Sequence, residues 1–164
     1  MTELIRHPKR EDLEYLLPII RDSGYDYPDL FQTEKFGKFK SLSECVRERI
    51  ENQQPDKKLY ILRDNGTIGL ALFDVIGDHK DCIYLNFLLG EGVGKRLIEI
   101  LKEEWTFVYA DVLNRDGRTE KRKAWAKRYG AKVGDIYYDT NMCQRNRRCD
   151  VVFSRTFETS ANMD

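Results

Sequence analysis

The chain has 164 residues, a length that favours one domain spanning 1–164. Hydrophobic residues make up 41% of it, enough for a core, and 28 basic residues balance 28 acidic ones. A balanced charge provides no overall basic field, so nucleic-acid binding is not expected. The apolar runs are strand-sized and the N terminus soon becomes polar, so we expect a cytoplasmic chain without a membrane span or secretory signal.

The first third of the sequence predicts a short strand, two helices and a loop between them. Leu4–Arg6 is typical of a strand, and Glu11–Arg21 carries leucines at helical spacing. Pro18 lies inside this helix and should kink it or end it early. An aromatic-rich loop follows, which carries Tyr25, Tyr27, Phe31, Phe36 and Phe39. Ser41 with Glu44 forms a capping box that begins the second helix.

Strands dominate the middle of the chain. Lys58–Arg63 and Thr67–Ile76 form a predicted hairpin, because Asn65-Gly66 between them is a strong turn signal. The later predicted elements are a strand at Cys82–Leu89, a helix around Leu97, a strand at Phe107–Val112, a helix at Thr119–Tyr129 and strands at Ile136–Tyr138 and Asp150–Phe157. The strand-helix-strand unit from 82 to 112 requires a crossover and so a parallel pair. We therefore predict an α/β fold with a mixed sheet of six to seven strands and about four helices.

Three glycines separate the strand at Cys82–Leu89 from the following helix. Gly90, Gly92 and Gly94 allow a close approach of the backbone to a ligand. A helix N-terminus offers N–H groups without partners and a partial positive charge, which suits a pyrophosphate. The segment lacks the spacing of a P-loop or of a dinucleotide-binding motif, and a plain strand-to-helix turn is the alternative interpretation.

The segment Leu89–Gly94, Leu-Gly-Glu-Gly-Val-Gly, resembles motif A of the GNAT (Gcn5-related N-acyltransferase) superfamily, whose pattern is Gln/Arg-x-x-Gly-x-Gly/Ala. Residues 122–131 resemble its motif B, and the order of elements is similar over nearly the whole chain. Two positions depart from the family pattern. Leu89 replaces the usual Gln or Arg, and Ala126 stands where many members carry a tyrosine proposed as general acid.

The resemblance implies that acetyl-CoA is the cosubstrate and lies between the 82–89 and 107–112 strands. The implied binding residues for its pantetheine, pyrophosphate and nucleotide are Phe87, Leu88, Leu89, Gly90, Glu91, Gly92, Val93, Gly94, Lys95, Arg96, Asn114 and Tyr129. The 3′-phosphate would meet Arg118, Lys121 or Arg122, which could equally form a solvated helix face.

Catalysis on an amine requires that its proton be removed, since a lysine-like amine has a pKa of ~10.4. The polar residues nearest the implied site are Asp81, Tyr84 and Asn86, and these are the candidate catalytic residues. Each also has an ordinary structural interpretation, as a turn residue or as an outward position on a strand.

Three functions remain open at this point. The first is an N-acetyltransferase whose partners are acetyl-CoA and a primary amine of a small molecule or protein; a homodimer is compatible with it. The second is a non-catalytic protein of this fold that binds a protein partner, as in some phage virions. The third, a nucleobase-modifying enzyme, is suggested by the basic tip Arg145–Arg148 and the aromatic-rich loop.

Cysteines and histidine offer one alternative that involves a metal. His79, Cys82, Cys143 and Cys149 could converge, but their spacing is irregular and no CxxC pair is present. Ordinary reduced thiols are therefore the preferred interpretation, and we expect no metal site.

Overall fold

The computed structural model describes residues 2–26, 31–32, 39–90, 92–113, 119–138 and 147–157. The elements, in chain order, are β1 (Thr2–Ile5), α1 (Leu13–Asp22) after a 3-10 turn, β2 (Phe31–Gln32), β3 (Phe39–Lys40), α2 (Leu42–Glu51), β4 (Lys57–Asp64), β5 (Thr67–Ile76), β6 (Cys82–Leu89), α3 (Gly94–Glu104), β7 (Phe107–Leu113), α4 (Thr119–Arg128), β8 (Lys132–Tyr138) and β9 (Arg147–Phe153).

Seven strands form one mixed sheet in the order β1-β4-β5-β6-β7-β9-β8, while β2 and β3 pair separately. Strands β6 and β7 run parallel, and the other neighbours in this sheet are antiparallel. The predicted α/β fold with a mixed sheet is therefore confirmed, including the parallel pair that the α3 crossover requires.

Helices cover both faces of the sheet. On one face, α1 and α2 bury Leu16 and Val46 against Leu72 of β5. On the other face, α3 and α4 bury Leu97 and Ala126 against the opposite side of the sheet. Within the described ranges, no helix is both long and apolar enough to cross a bilayer.

Local sequence signals correspond closely to the observed element ends. The Ser41 side chain accepts a hydrogen bond from the Glu44 backbone N–H and caps α2, as the capping box predicts. Asn65 and Gly66 have φ of 50° and 85°, which is the positive-φ turn expected between β4 and β5.

Two expectations about element ends differ from the structure. Pro18 was expected to kink α1 or end it early, and the helix does not end there but continues to Asp22, with Leu16 and Ile20 completely buried in the core. The final strand was predicted to reach Phe157 but ends at Phe153. Immediately beyond it, Ser154 is fully buried and its hydroxyl donates to the Thr106 carbonyl, which turns the chain away from the sheet.

Candidate functional site

The sheet opens between its two central parallel strands. Pairing of β6 with β7 extends only from Cys82↔Phe107 to Leu85↔Ala110. Beyond Leu85, β6 continues to Leu89 beside β5, whereas β7 stays with β9. The ladder between β6 and β7 therefore ends after Leu85, and the last four residues of β6 are not paired with β7; this opening in the sheet is here called the split.

A β-bulge marks the point at which the split begins. In the pairing of β5 with β6, Leu72 lies opposite Phe87 and Phe73 lies opposite Leu85, so Asn86 is the extra residue. Its Nδ2 atom is buried and has no hydrogen-bond partner among the described residues. Leaving a buried donor unsatisfied costs about 1–3 kcal/mol, so this amide is suited to a ligand oxygen entering the split.

The loop from β6 to α3 is pressed against β5. Gly90 has a φ of 142°, and a Cβ there would lie 2.7 Å from Gly69 Cα and 2.6 Å from Val93 Cγ2. Gly92 has a φ of 82°, yet a Cβ there would have no heavy atom within 4 Å. Gly90 is therefore required by packing, whereas Gly92 borders open space beside the start of α3.

The N-terminus of α3 is available to an anion. Gly94 N donates to Gly90 O at 3.2 Å, and among the described residues no side-chain cap is formed at the N-cap, Val93. Among the described residues, the backbone N–H groups of Lys95 and Arg96 have no acceptor. Together with the helix dipole, these groups form the kind of site that binds phosphate groups.

The two cationic side chains at this helix start have different surroundings. The Lys95 ammonium lies 5.3 Å from the centre of the Tyr129 ring, which packs edge-on against Trp125. The Arg96 guanidinium instead lies 2.8 Å from Asp64 Oδ2, and it also donates to the Thr2 hydroxyl. The Lys95 ammonium also lies 3.9 Å from Glu99 Oε1, an exposed pair one turn along α3. Arg96 can therefore offer an anion its backbone N–H, whereas Lys95 can add an ammonium held only by this longer, exposed pair.

Arg96 belongs to a small polar cluster with Asp64 and Thr2. Asp64 accepts hydrogen bonds from the Thr2 hydroxyl and from Arg96, and these bonds lower the pKa of its carboxyl group. The cluster joins α3 to β1 and β4, so its role is structural.

The candidate catalytic residues occupy different parts of β6. Asn86 lies at the bulge. Tyr84 lies in the paired part of the strand, opposite Tyr109 of β7. Asp81 precedes β6 at its opposite end, where its carbonyl accepts a hydrogen bond from Thr106 N. Because a strand rises about 3.3 Å per residue, Asp81 lies roughly 13 Å from Leu85 along the strand. The structure therefore places Asn86 at the split and Tyr84 near it. Asp81 lies at the opposite end of β6.

Helix α4 contributes a contact that the sequence did not predict. Arg122 Nη2 donates to the Tyr25 hydroxyl at 2.8 Å, and the Tyr25 ring packs edge-on to Phe87 at 5.7 Å between centroids. The basic face of α4 and the aromatic-rich loop were each recognisable in the sequence, but nothing local links them. Ala126 is buried in the core, where α4 packs on the sheet.

Several sequence predictions fall outside the described residues: Glu91, Asn114, Arg118, Cys143 and Arg145. Within the described part of the chain, no group of three or more His, Cys, Asp or Glu side chains is arranged to hold a metal ion.

Solved structures of GNAT acetyltransferases share this architecture. A Desulfovibrio desulfuricans protein ascribed to that family aligns with a TM-score of 0.67 at 10% identity, covering 94% of this chain and 99% of that one. A variant of the Vibrio cholerae spermidine N-acetyltransferase gives 0.62 at 11%, covering 93% and 92%. The ribosomal L7/L12 alpha-N-protein acetyltransferase in complex with coenzyme A gives 0.64 at 11%, covering 93% of each chain.

No protein-family model and no curated protein sequence matches the chain. The similarity at these low identities defines the fold, which is that of the GNAT acetyltransferases.

Proposed function

We propose that the chain is an acyl-CoA-dependent N-acyltransferase, which transfers an acetyl group from acetyl-CoA to a primary amine of a small molecule or protein. One observation carries the proposal. The unsatisfied Asn86 amide lies where the split begins, and the start of α3, which has no side-chain cap at Val93, follows the other end of the split. Solved neighbours support it, because they are named for acetylation of spermidine and of a ribosomal protein, and one of them holds coenzyme A.

The proposed site holds acetyl-CoA in an extended arrangement along the split. The N–H groups of Lys95 and Arg96 bind the pyrophosphate, with the Lys95 ammonium beside them. The open space at Gly92 admits the phosphates. The remaining residues proposed to line the cofactor are Phe87, Leu88, Leu89, Gly90, Glu91, Val93, Gly94, Asn114 and Tyr129.

The chemistry proposed for this site is direct transfer. The neutral amine attacks the thioester carbonyl carbon, a C–N bond forms, the C–S bond breaks, and the thiolate of coenzyme A takes up a proton. Negative charge develops on the carbonyl oxygen, and a preorganised donor such as the Asn86 amide stabilises that charge. The amine must first lose its proton, and Tyr84 is the polar side chain of β6 proposed to pass that proton to water. Asp81 is left out of the proposed set because of its distance from the split.

Binding of acetyl-CoA is the first test. A ligand at a hundred times its dissociation constant adds about 2.7 kcal/mol to the free energy of unfolding. For a chain of this size, that corresponds to a rise in melting temperature of about 5 to 11 °C. No shift at millimolar acetyl-CoA would contradict the proposal and favour a non-catalytic protein of this fold. Release of free thiol in the presence of a panel of amines then measures transfer and identifies the acceptor.

A matched pair of glycine variants tests the position of the site. Gly92 and Gly66 have φ of 82° and 85°, and a Cβ at either would have nothing within 4 Å. Gly92→Asp places a carboxylate beside the start of α3 and should abolish the shift with acetyl-CoA. Gly66→Asp, in the β4–β5 turn, carries the same backbone strain and the same charge but should retain the shift. Equal retention by both variants would show that the pyrophosphate binds elsewhere.

A further inference from the structure

A side-chain contact joins the two helical layers at the split. Tyr25 follows α1 on one face of the sheet, whereas Arg122 belongs to α4 on the other. Besides the hydrogen bond of 2.8 Å to the Tyr25 hydroxyl, the Arg122 guanidinium lies 5.8 Å from the centre of the ring. The ring itself contacts Phe87, which is the first residue of β6 after the bulge. The contact therefore crosses the sheet where β6 and β7 have separated.

Hydrogen bonds on both sides of Tyr25 in the sequence hold it in this position. Its backbone N–H donates to Ser23 Oγ at 3.1 Å. The next residue, Asp26, accepts hydrogen bonds from the Ser43 backbone N–H at 3.0 Å and from the Ser43 hydroxyl at 2.8 Å, which fastens the segment to the first turn of α2. A change in the position of the Tyr25 ring would therefore break these hydrogen bonds or the one from Arg122.

Buried and packed residues border the position proposed for the acyl group. With the thioester at Asn86 and Phe87, one direction for the acyl chain is the closed end of the split, where Leu85 pairs with Ala110 and is only 7% exposed. On the face covered by α3 and α4, Leu97 and Ala126 are packed in the core. On the α1–α2 face, among the described residues, the Tyr25 ring already contacts Phe87.

From this geometry we infer that Tyr25, positioned by Arg122, ends the acyl pocket and restricts the transferred group to acetyl or a similarly short chain. The inference rests on the proposed acyl-CoA site and names its acyl specificity. It also gives Arg122 a different role from the 3′-phosphate contact considered from the sequence.

The experiment measures the dissociation constants of acetyl-, butyryl-, hexanoyl- and octanoyl-CoA for the full chain by calorimetry. In the parent protein, affinity should not increase with chain length. A buried methylene adds about fourfold in affinity, so Tyr25→Ala should raise the hexanoyl-to-acetyl affinity ratio at least tenfold. An unchanged ratio in Tyr25→Ala would overturn the inference.

Tyr15→Ala is the matched control. Tyr15 also engages a neighbouring polar side chain through its hydroxyl, which donates to Asp12 at 2.6 Å, and an arginine, Arg63, lies 4.2 Å above its ring. Arg63 belongs to β4, two strands away from β6, so this variant should leave the chain-length profile unchanged. A profile altered equally in both variants would show loss of packing and would contradict a specific role for Tyr25.

Arg122→Met separates the two roles considered for this arginine and provides a second variant if Tyr25→Ala fails to fold. If Arg122 positions Tyr25, the substitution should shift the chain-length profile in the same direction as Tyr25→Ala and weaken coenzyme A and 3′-dephospho-coenzyme A equally. A loss of affinity confined to coenzyme A, with the profile unchanged, would overturn the inference and assign Arg122 to the 3′-phosphate. If the parent protein binds neither coenzyme A nor acetyl-CoA, the proposed function itself is wrong; if it binds them without these changes, only the acyl-length inference is wrong.

Discussion

Replacement of Asn86 by leucine should make the protein more stable and less able to bind acetyl-CoA. The Nδ2 atom is buried without a partner among the described residues, so the side chain weakens the folded state of the free protein. Leucine has the same branching at Cγ and carries no polar atom. Asn86 does not have a positive φ, so the backbone at the bulge accepts leucine without strain.

The size of the effect follows from the cost of the unsatisfied donor. Relief of that cost should raise the free energy of unfolding by about 1–3 kcal/mol. In a domain of this size, each kcal/mol shifts the melting temperature by about 2–4 °C, so a rise of roughly 2–12 °C is expected. The rise in melting temperature on adding acetyl-CoA should become smaller at the same time, because the ligand has lost a buried donor.

The assay is thermal unfolding of both proteins with and without acetyl-CoA, with the release of thiol measured in parallel. Asn86→Ala serves as the control: it removes the donor without adding apolar surface, so it should lose as much binding but gain less stability. A leucine variant that is less stable than the parent, or that binds and turns over acetyl-CoA normally, would refute the assignment of Asn86 to the ligand.

Two further predictions concern the glycine loop and the half-buried Cys45 thiol. Gly90→Ala should lower the free energy of unfolding much more than Gly92→Ala in denaturant titrations. At position 90 the new Cβ would lie 2.6 Å from Val93 Cγ2 and 2.7 Å from Gly69 Cα, whereas at position 92 it would have no heavy atom within 4 Å. Equal losses of stability would contradict this prediction. Burial raises the pKa of the Cys45 thiol from 9.0 to about 11, so the folded chain holds that proton more tightly than the unfolded chain. The resulting stability is present below pH 9 and is lost as the pH rises toward 11, and Cys45→Ala should fall less steeply across this window.

The sequence by itself determined the features that depend on a few neighbouring residues. The Asn65-Gly66 turn needs two residues that accept positive φ, and the cap of α2 needs the Ser41 hydroxyl three residues before Glu44. The mixed sheet followed in the same way, because hydrophobic periodicity and the crossover between β6 and β7 restrict the possible topologies. The position of the glycine loop between a strand and a helix is likewise a local pattern.

Only the tertiary structure decided which side chains share the split. The bulge arises because β6 has one residue more than β5 between two neighbouring pairs, and no feature within either strand reveals it. Tyr25 and Arg122 are 97 residues apart, and they meet because α1 and α4 cover opposite faces of a sheet that opens between them. Local patterns specify turns and helix ends through backbone conformation and short-range hydrogen bonds, whereas contacts between distant segments depend on how complete layers pack.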